Sequence, residues 1–143
     1  MKATARNWII QAKIGLLTEQ ELIQLADDYI RDHDEFPDWM IAIAANESLR
    51  GEEQLDLVLT PVTEHDGMII ANEMLTLLSS GKRNIDQIAA ASEQMYLLLD
   101  WGSPMFNQFI WISDEHALIK LGVKSADGYQ EQVMQMLNNI ATS

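Results

Sequence analysis

The stretch TEQELIQLADDYIRD, residues 18 to 32, decides the fold class. It opens on Thr18-Glu19-Gln20-Glu21, a capping box in which the threonine hydroxyl accepts the amide of Glu21 and the Glu21 carboxylate reaches back to the cap amide. Behind it, Leu22, Leu25, Ala26 and Tyr29 recur at three- and four-residue intervals, widened by Ile23 and Ile30. Gln20, Gln24, Asp27, Asp28 and Arg31 fall on the opposite side. This is an amphipathic helix with one wet face.

The same periodicity continues in both directions. Upstream, Ala3 to Leu16 reads as a helix with Trp8, Ile9, Ala12 and Leu16 inward, broken by Gly15. Downstream, Pro37 suits the first position of a third helix, Asp38 to about Asn46, and Asp38 lies where a carboxylate favours the helix dipole. A fourth helix, Glu52 to Leu59, stops before Thr60-Pro61, because proline disfavours helical geometry in the residue before it. His65 to Leu78 gives a fifth helix, ended by Ser79-Ser80-Gly81. Asn84 caps a sixth, Ile85 to about Asp100, with Ile88, Ala91, Met95 and Leu98 or Leu99 inward.

Ser103-Pro104 opens a seventh helix through Ile112. Ser113-Asp114-Glu115-His116 starts a short eighth that ends at Gly122. Ala126-Asp127-Gly128 leads into a ninth with Tyr129, Val133, Met136, Leu137 and Ile140 on its stripe. The run FNQFIWIS, residues 106 to 113, also reads as a strand. Elsewhere no segment alternates over six residues. The reading is an all-α single domain of residues 1–143 with about eight or nine short helices, a length that supports one core.

Bulk composition narrows the function. The chain has 143 residues, 48% hydrophobic and 22% charged, and no cysteine. That leaves no disulfide, thiolate zinc site or thiol nucleophile, and it favours a cytoplasmic location. MKATARNWIIQAKIGLL has basic residues before an apolar stretch, but Gln11 and Lys13 interrupt it and no small-residue cleavage site follows, so an amphipathic helix is expected rather than a signal peptide. No apolar run is long enough to span a membrane.

The net charge is −13, and it is concentrated: residues 27 to 66 hold twelve acidic and two basic residues. A field of that sign repels nucleic acid and anionic membrane and attracts basic partners. Its densest part is DDYIRDHDEFPDW, residues 27 to 39. Asp32, His33, Asp34, Glu35 and Asp38 offer oxygen and imidazole ligands, but the calcium-loop pattern of alternating ligands, a central glycine and a final glutamate is absent. His33, His65 and His116 are too far apart for a helical zinc-hydrolase motif, so no metal or cofactor is expected. Each histidine has an acid beside it and reads as a surface residue at a helix boundary.

Acid/base catalysis needs a carboxyl desolvated beside its partner. Acids at a helix end, next to Arg31, read as solvated. No nucleophile elbow, phosphate-binding loop or dinucleotide fingerprint occurs, and the seven glycines stand singly at helix ends or turns. The expectation is therefore not an enzyme, with a small acid/base or metal hydrolase as the reading that loss of activity on chelation would reveal.

Two readings of the acidic stretch remain. It is a solvated face, in which Asp27 and Arg31 form an i, i+4 pair worth a few tenths of a kcal/mol. Or it is a protein-binding surface, with carboxylates steering and aromatic residues as desolvated anchors. Tyr29 belongs to the core stripe, and Trp101 and Trp111 also read as core. Phe36 and Trp39, flanking Pro37, read as core or as anchors. In the second reading the surface comprises Asp28, Asp32, Asp34, Glu35, Phe36, Asp38 and Trp39, extended by Glu52, Glu53 and Asp56.

A cysteine-free, all-helical chain of this length, with this acidic segment and the phrase EFPDWMIAIAANES, resembles small bacterial immunity proteins that neutralise contact-dependent growth inhibition and related polymorphic toxins. The resemblance implies a cytoplasmic, non-enzymatic inhibitor binding one cognate basic toxin, often a nuclease, one to one. The alternative is a helical-repeat adaptor or scaffold that holds a partner protein or peptide in a groove. A faint echo bears on it: Tyr29 precedes Pro37 by eight residues, as Tyr96 precedes Pro104.

Overall fold

The computed structural model describes residues 2–46, 61–100 and 102–143. Among these residues there are seven helices and no strand: α1 (Lys2–Lys13), α2 (Glu19–Asp32), α3 (Asp38–Ala44), α4 (Glu64–Ser80), α5 (Ile85–Leu98), α6 (Pro104–Lys120) and α7 (Tyr129–Ala141). The expected helix over Glu52–Leu59 lies outside the described residues, as does Trp101.

Local chemistry explains most boundaries. The Thr18 box forms as read, with Thr18 N donating to Glu21 Oε1 at 2.9 Å and Glu21 N to Thr18 Oγ1 at 3.1 Å. Asn84 and Gln87 make the same reciprocal pair at the start of α5. Ser103 caps α6 by accepting the Met105 amide, with Pro104 as its first residue. A third box, Thr63 with Asp66, opens α4 one residue earlier than the hydrophobic pattern indicates. Its signal, a threonine three residues before an acid, is present in the sequence. Gly81, at φ +78, ends that helix in the left-handed conformation glycine adopts without strain. Pro37 is the cap of α3 rather than its first helical residue.

One expectation is corrected around α6. FNQFIWIS is helical, as the reading of a seventh helix has it, but the seventh and eighth helices are one: Ser113-Asp114-Glu115-His116 continues α6 without a break. Serine and aspartate favour caps only where a helix is free to start. Here no Pro or Gly interrupts residues 105–120, and Met105, Phe109 and Ile112 bury a continuous stripe. The number of helices among the described residues is lower for that reason.

The chain divides into two compact units: Met1–Lys13 with Leu17–Thr60, and Ile14–Leu16 with Pro61–Ser143. In the first, α2 packs on α3 and on α1. Its core is Ala5, Ile9, Ala26, Trp39, Met40 and Ile43, with Trp8, Leu22, Tyr29 and Ile30 partly buried against them. In the second, α4 pairs mainly with α7 and α5 with α6. Ile70, Met74, Ile88, Met95, Phe109, Ile112, Val133, Leu137 and Ile140 are fully buried. The inward residues read for α5 and α7 are the buried ones, except that Leu99 rather than Leu98 is covered and Met136 is half-buried.

Gly67 departs from its reading as a turn glycine. It is buried within α4, and a β-carbon there would lie 2.8 Å from the Met105 sulfur. The missing side chain lets α4 and the start of α6 approach closely.

Candidate functional site

The acidic stretch forms the end of α2, the five-residue link 33–37 and the start of α3, all within the first unit. α2 stops at Asp32, and His33 turns outward in an extended conformation. Its ring stacks on Tyr29, with centroids 3.8 Å apart and 14° between planes. Its Nδ1 lies 2.9 Å from the Tyr29 carbonyl oxygen. As a donor there, it satisfies one of the carbonyls that a helix end leaves without an intrahelical partner. His33 is thus a capping group.

Beyond it, Asp34, Glu35 and Asp38 are exposed. Among the described residues none of the three has an ion pair. Arg31 is the single basic residue between 27 and 39, and it pairs with Asp28 at 2.9 Å and with Asp32 at 3.5 Å. The pair expected with Asp27 is replaced by this one. Asp28 is already held by the Gln24 side-chain amide at 2.8 Å, so its carboxylate stands ready on the same ridge, three residues from the arginine. Asp27, Asp34, Glu35 and Asp38 are left without a neutralising partner among the described residues.

The aromatic residues separate. Trp39, a candidate anchor for a partner, is 8% exposed and belongs to the core of the first unit. On a helix capped by Pro37, residues 39, 40 and 43 share the inner face, and this places the indole inward beside Met40 and Ile43. Phe36 is half-buried in the link. An exposed apolar residue that the sequence reading does not single out is Ile41, 48% exposed and one turn after Asp38. Its signal was the i, i+3 spacing from Asp38, on the side away from Trp39 and Met40. Glu52, Glu53 and Asp56 lie outside the described residues.

The corner therefore consists of Asp28, Asp32, Asp34, Glu35 and Asp38, with Phe36 and Ile41 as its apolar members. Exposed carboxylates of this kind lack the desolvation that acid/base catalysis requires. Among the described residues no group of three or more potential ligands is arranged to hold a metal ion. What solvated carboxylates can do is attract and orient a positively charged surface.

The second unit also carries polar groupings. A cleft of about 450 Å³ is lined by Pro61, Val62, Thr63, Glu64, Leu99, Asp100, Gly102 and Ser103. Both its carboxylates are engaged: Ser103 Oγ donates to Glu64 Oε1 at 2.9 Å, and the Gly102 amide to Asp100 Oδ1 at 3.3 Å. Elsewhere, His116 Nε2 lies 2.7 Å from Asp86 Oδ1, with Lys120 3.4 Å from the same oxygen. Asp86 is in the first turn of α5, and His116 and Lys120 are near the end of α6, so each helix dipole is complemented. The hydrogen bond from His116 is the main cause that holds the Asp86 carboxyl below its ordinary range, opposed by a smaller desolvation. Asp86 and His116 are thirty residues apart, and nothing in the sequence marks them as partners.

Comparison of the chain with protein-family models, with curated proteins and with solved structures finds no match. No helix among the described residues is long and apolar enough to cross a membrane.

Proposed function

We propose that this chain is an inhibitor of the immunity-protein kind, binding one basic toxin domain, a nuclease by preference, and covering its active site. The observation that carries the reading is the exposed corner of Asp34, Glu35 and Asp38, without neutralising partners among the described residues, beside the Asp28–Arg31–Asp32 group. Like charges held at one corner repel each other and contribute nothing to compactness. A surface that lines the phosphate path of a nuclease is basic and repays that cost on binding. The carboxylates then stand where substrate phosphates would, and Phe36 and Ile41 exclude water at the contact.

The experiment is co-purification followed by kinetics. The full chain is used to isolate its partner from the source organism, and the partner is then expressed alone and tested for toxicity and nuclease activity. Association is measured as ionic strength rises, for the wild type and for D32K/D34K/E35K. Steering by exposed charges is screened beyond about 10 Å at 0.1 M salt, so the association rate should fall at least about tenfold between low and high salt. The triple variant should stay folded and lose most of that steering. A salt-independent rate, or unchanged affinity in the triple variant, removes the acidic corner from the interface. A non-toxic partner bound independently of these carboxylates would instead support the adaptor reading.

A further inference from the structure

The chain contains two Asp-Gly pairs, Asp66-Gly67 and Asp127-Gly128, both within the second unit. In such a pair the glycine nitrogen has no side chain beside it and is the least hindered backbone amide that can reach the preceding carboxyl. The fold treats the two pairs differently. Asp66-Gly67 lies in the first turn of α4, with Gly67 buried. The Gly67 amide donates to the Thr63 carbonyl at 3.0 Å, and the Asp66 carboxylate accepts the Thr63 amide at 2.9 Å. Nitrogen and carboxyl are both held by Thr63.

Asp127-Gly128 is the opposite case. Residues 121 to 128 are all exposed. The Tyr129 amide donates to the Ala126 carbonyl at 3.1 Å, so Asp127 and Gly128 are the central residues of a tight turn. Gly128 has φ 75 and ψ −1 while Asp127 keeps a negative φ, which makes the turn type II. The central peptide of such a turn lies outside its closing hydrogen bond. Among the described residues, neither the Gly128 amide nor the Asp127 carboxylate has a hydrogen-bond partner. That peptide can rotate without breaking a bond.

We propose that Asp127 is a site of self-modification, at which the Gly128 nitrogen closes onto the side chain and the linkage reopens as isoaspartate, whereas Asp66 is protected. In the first step the Gly128 nitrogen bonds to Cγ of the protonated carboxyl. The nitrogen gives up its proton, the carboxyl hydroxyl leaves with it as water, and a cyclic imide remains. In the second step water adds to the backbone carbonyl carbon of Asp127, and the bond from that carbon to the Gly128 nitrogen breaks, the nitrogen regaining a proton. No oxidant or second protein is needed. The backbone then runs through the former side chain, one carbon longer, directly before the cap of α7 and the buried Tyr129.

The test is to age the full chain in mildly acidic buffer, folded and in urea, and to read both sites by peptide mapping with isoaspartyl-specific methylation. In urea the two sites should react at similar rates. In the folded chain Asp127 should outpace Asp66 by at least about tenfold, because Asp66 reacts only after α4 opens locally. Asp127→Glu, whose longer side chain disfavours the ring, should lose the signal from its peptide. A ratio of rates that denaturation leaves unchanged would overturn the proposal, as would the absence of isoaspartate at Asp127 or a signal that survives Asp127→Glu.

Discussion

Replacing Tyr129 by phenylalanine should cost stability near neutral pH and cost nothing at high pH. The ring sits at the start of α7, 5% exposed, between Trp111 and His116 with centroids 6.4 and 6.2 Å away. Its hydroxyl donates to the Ile112 carbonyl at 2.5 Å. Phenylalanine fills the same space, and Ile112, inside α6, keeps its helical hydrogen bond, so no carbonyl is orphaned. The loss is then one net hydrogen bond, about 1 kcal/mol.

The pH dependence of that gap has a definite sign. Burial, with help from the Glu115 and Asp86 carboxylates, pushes the Tyr129 phenol well above its ordinary value of 10.0. A group whose folded pKa is raised contributes stability that is complete below the unfolded value and is lost as pH rises through the interval between the two. Near pH 11 the unfolded tyrosine ionises while the folded one stays neutral, which takes about 1.4 kcal/mol from the wild type and nothing from the variant. The difference between the two proteins should therefore shrink from about 1 kcal/mol near pH 8 to zero or slightly below by about pH 11. Urea unfolding followed by circular dichroism at a series of pH values measures it. All other titrating groups are common to both proteins and cancel in the difference. A gap that stays constant to pH 11 would mean that the phenol ionises equally in both states, and the burial argument would be wrong.

Two further outcomes follow from the same unit. Gly67→Ala gains about 1 kcal/mol of helix propensity and meets one flexible thioether, so its melting temperature should stay near that of the wild type, whereas Gly67→Val should lose about 1–3 kcal/mol by overpacking against Met105, Leu99 and Phe109; equal stability of the two variants would refute the close approach. Asp86→Asn should lower stability slightly at neutral pH, because the carboxylate is largely exposed. Since the folded pKa of Asp86 is depressed, its contribution is present above the ordinary 3.8 and fades as pH falls through the folded value. Thermal melts of both proteins should therefore converge in acid, and a difference that persists there would refute the ion-pair account.

Much of the fold is legible in the sequence because the signals are local. A cap needs a side chain and an amide two or three residues away, so Thr18, Asn84 and Ser103 mark helix starts whatever surrounds them. A buried stripe needs only the helical repeat, so Tyr129, Val133, Leu137 and Ile140 can be read in order. The exposure of Asp34, Glu35 and Asp38 follows similarly, from a dense run of charge at a helix break. Composition alone also placed most of the negative charge between residues 27 and 66.

What depends on partners distant in sequence had no local mark. Tertiary packing carried α6 through Ser113 and Asp114, turned Trp39 inward, buried Gly67 against Met105 and brought His116 to Asp86. It also placed Ile14–Leu16 in a unit that otherwise begins at Pro61. Even on one helix, Arg31 chose Asp28 over the conventionally spaced Asp27. Caps and stripes are set within one or two helical turns and are written in the order of residues. Which face is covered, and which charge is paired, depends on atoms brought together only when the chain has folded.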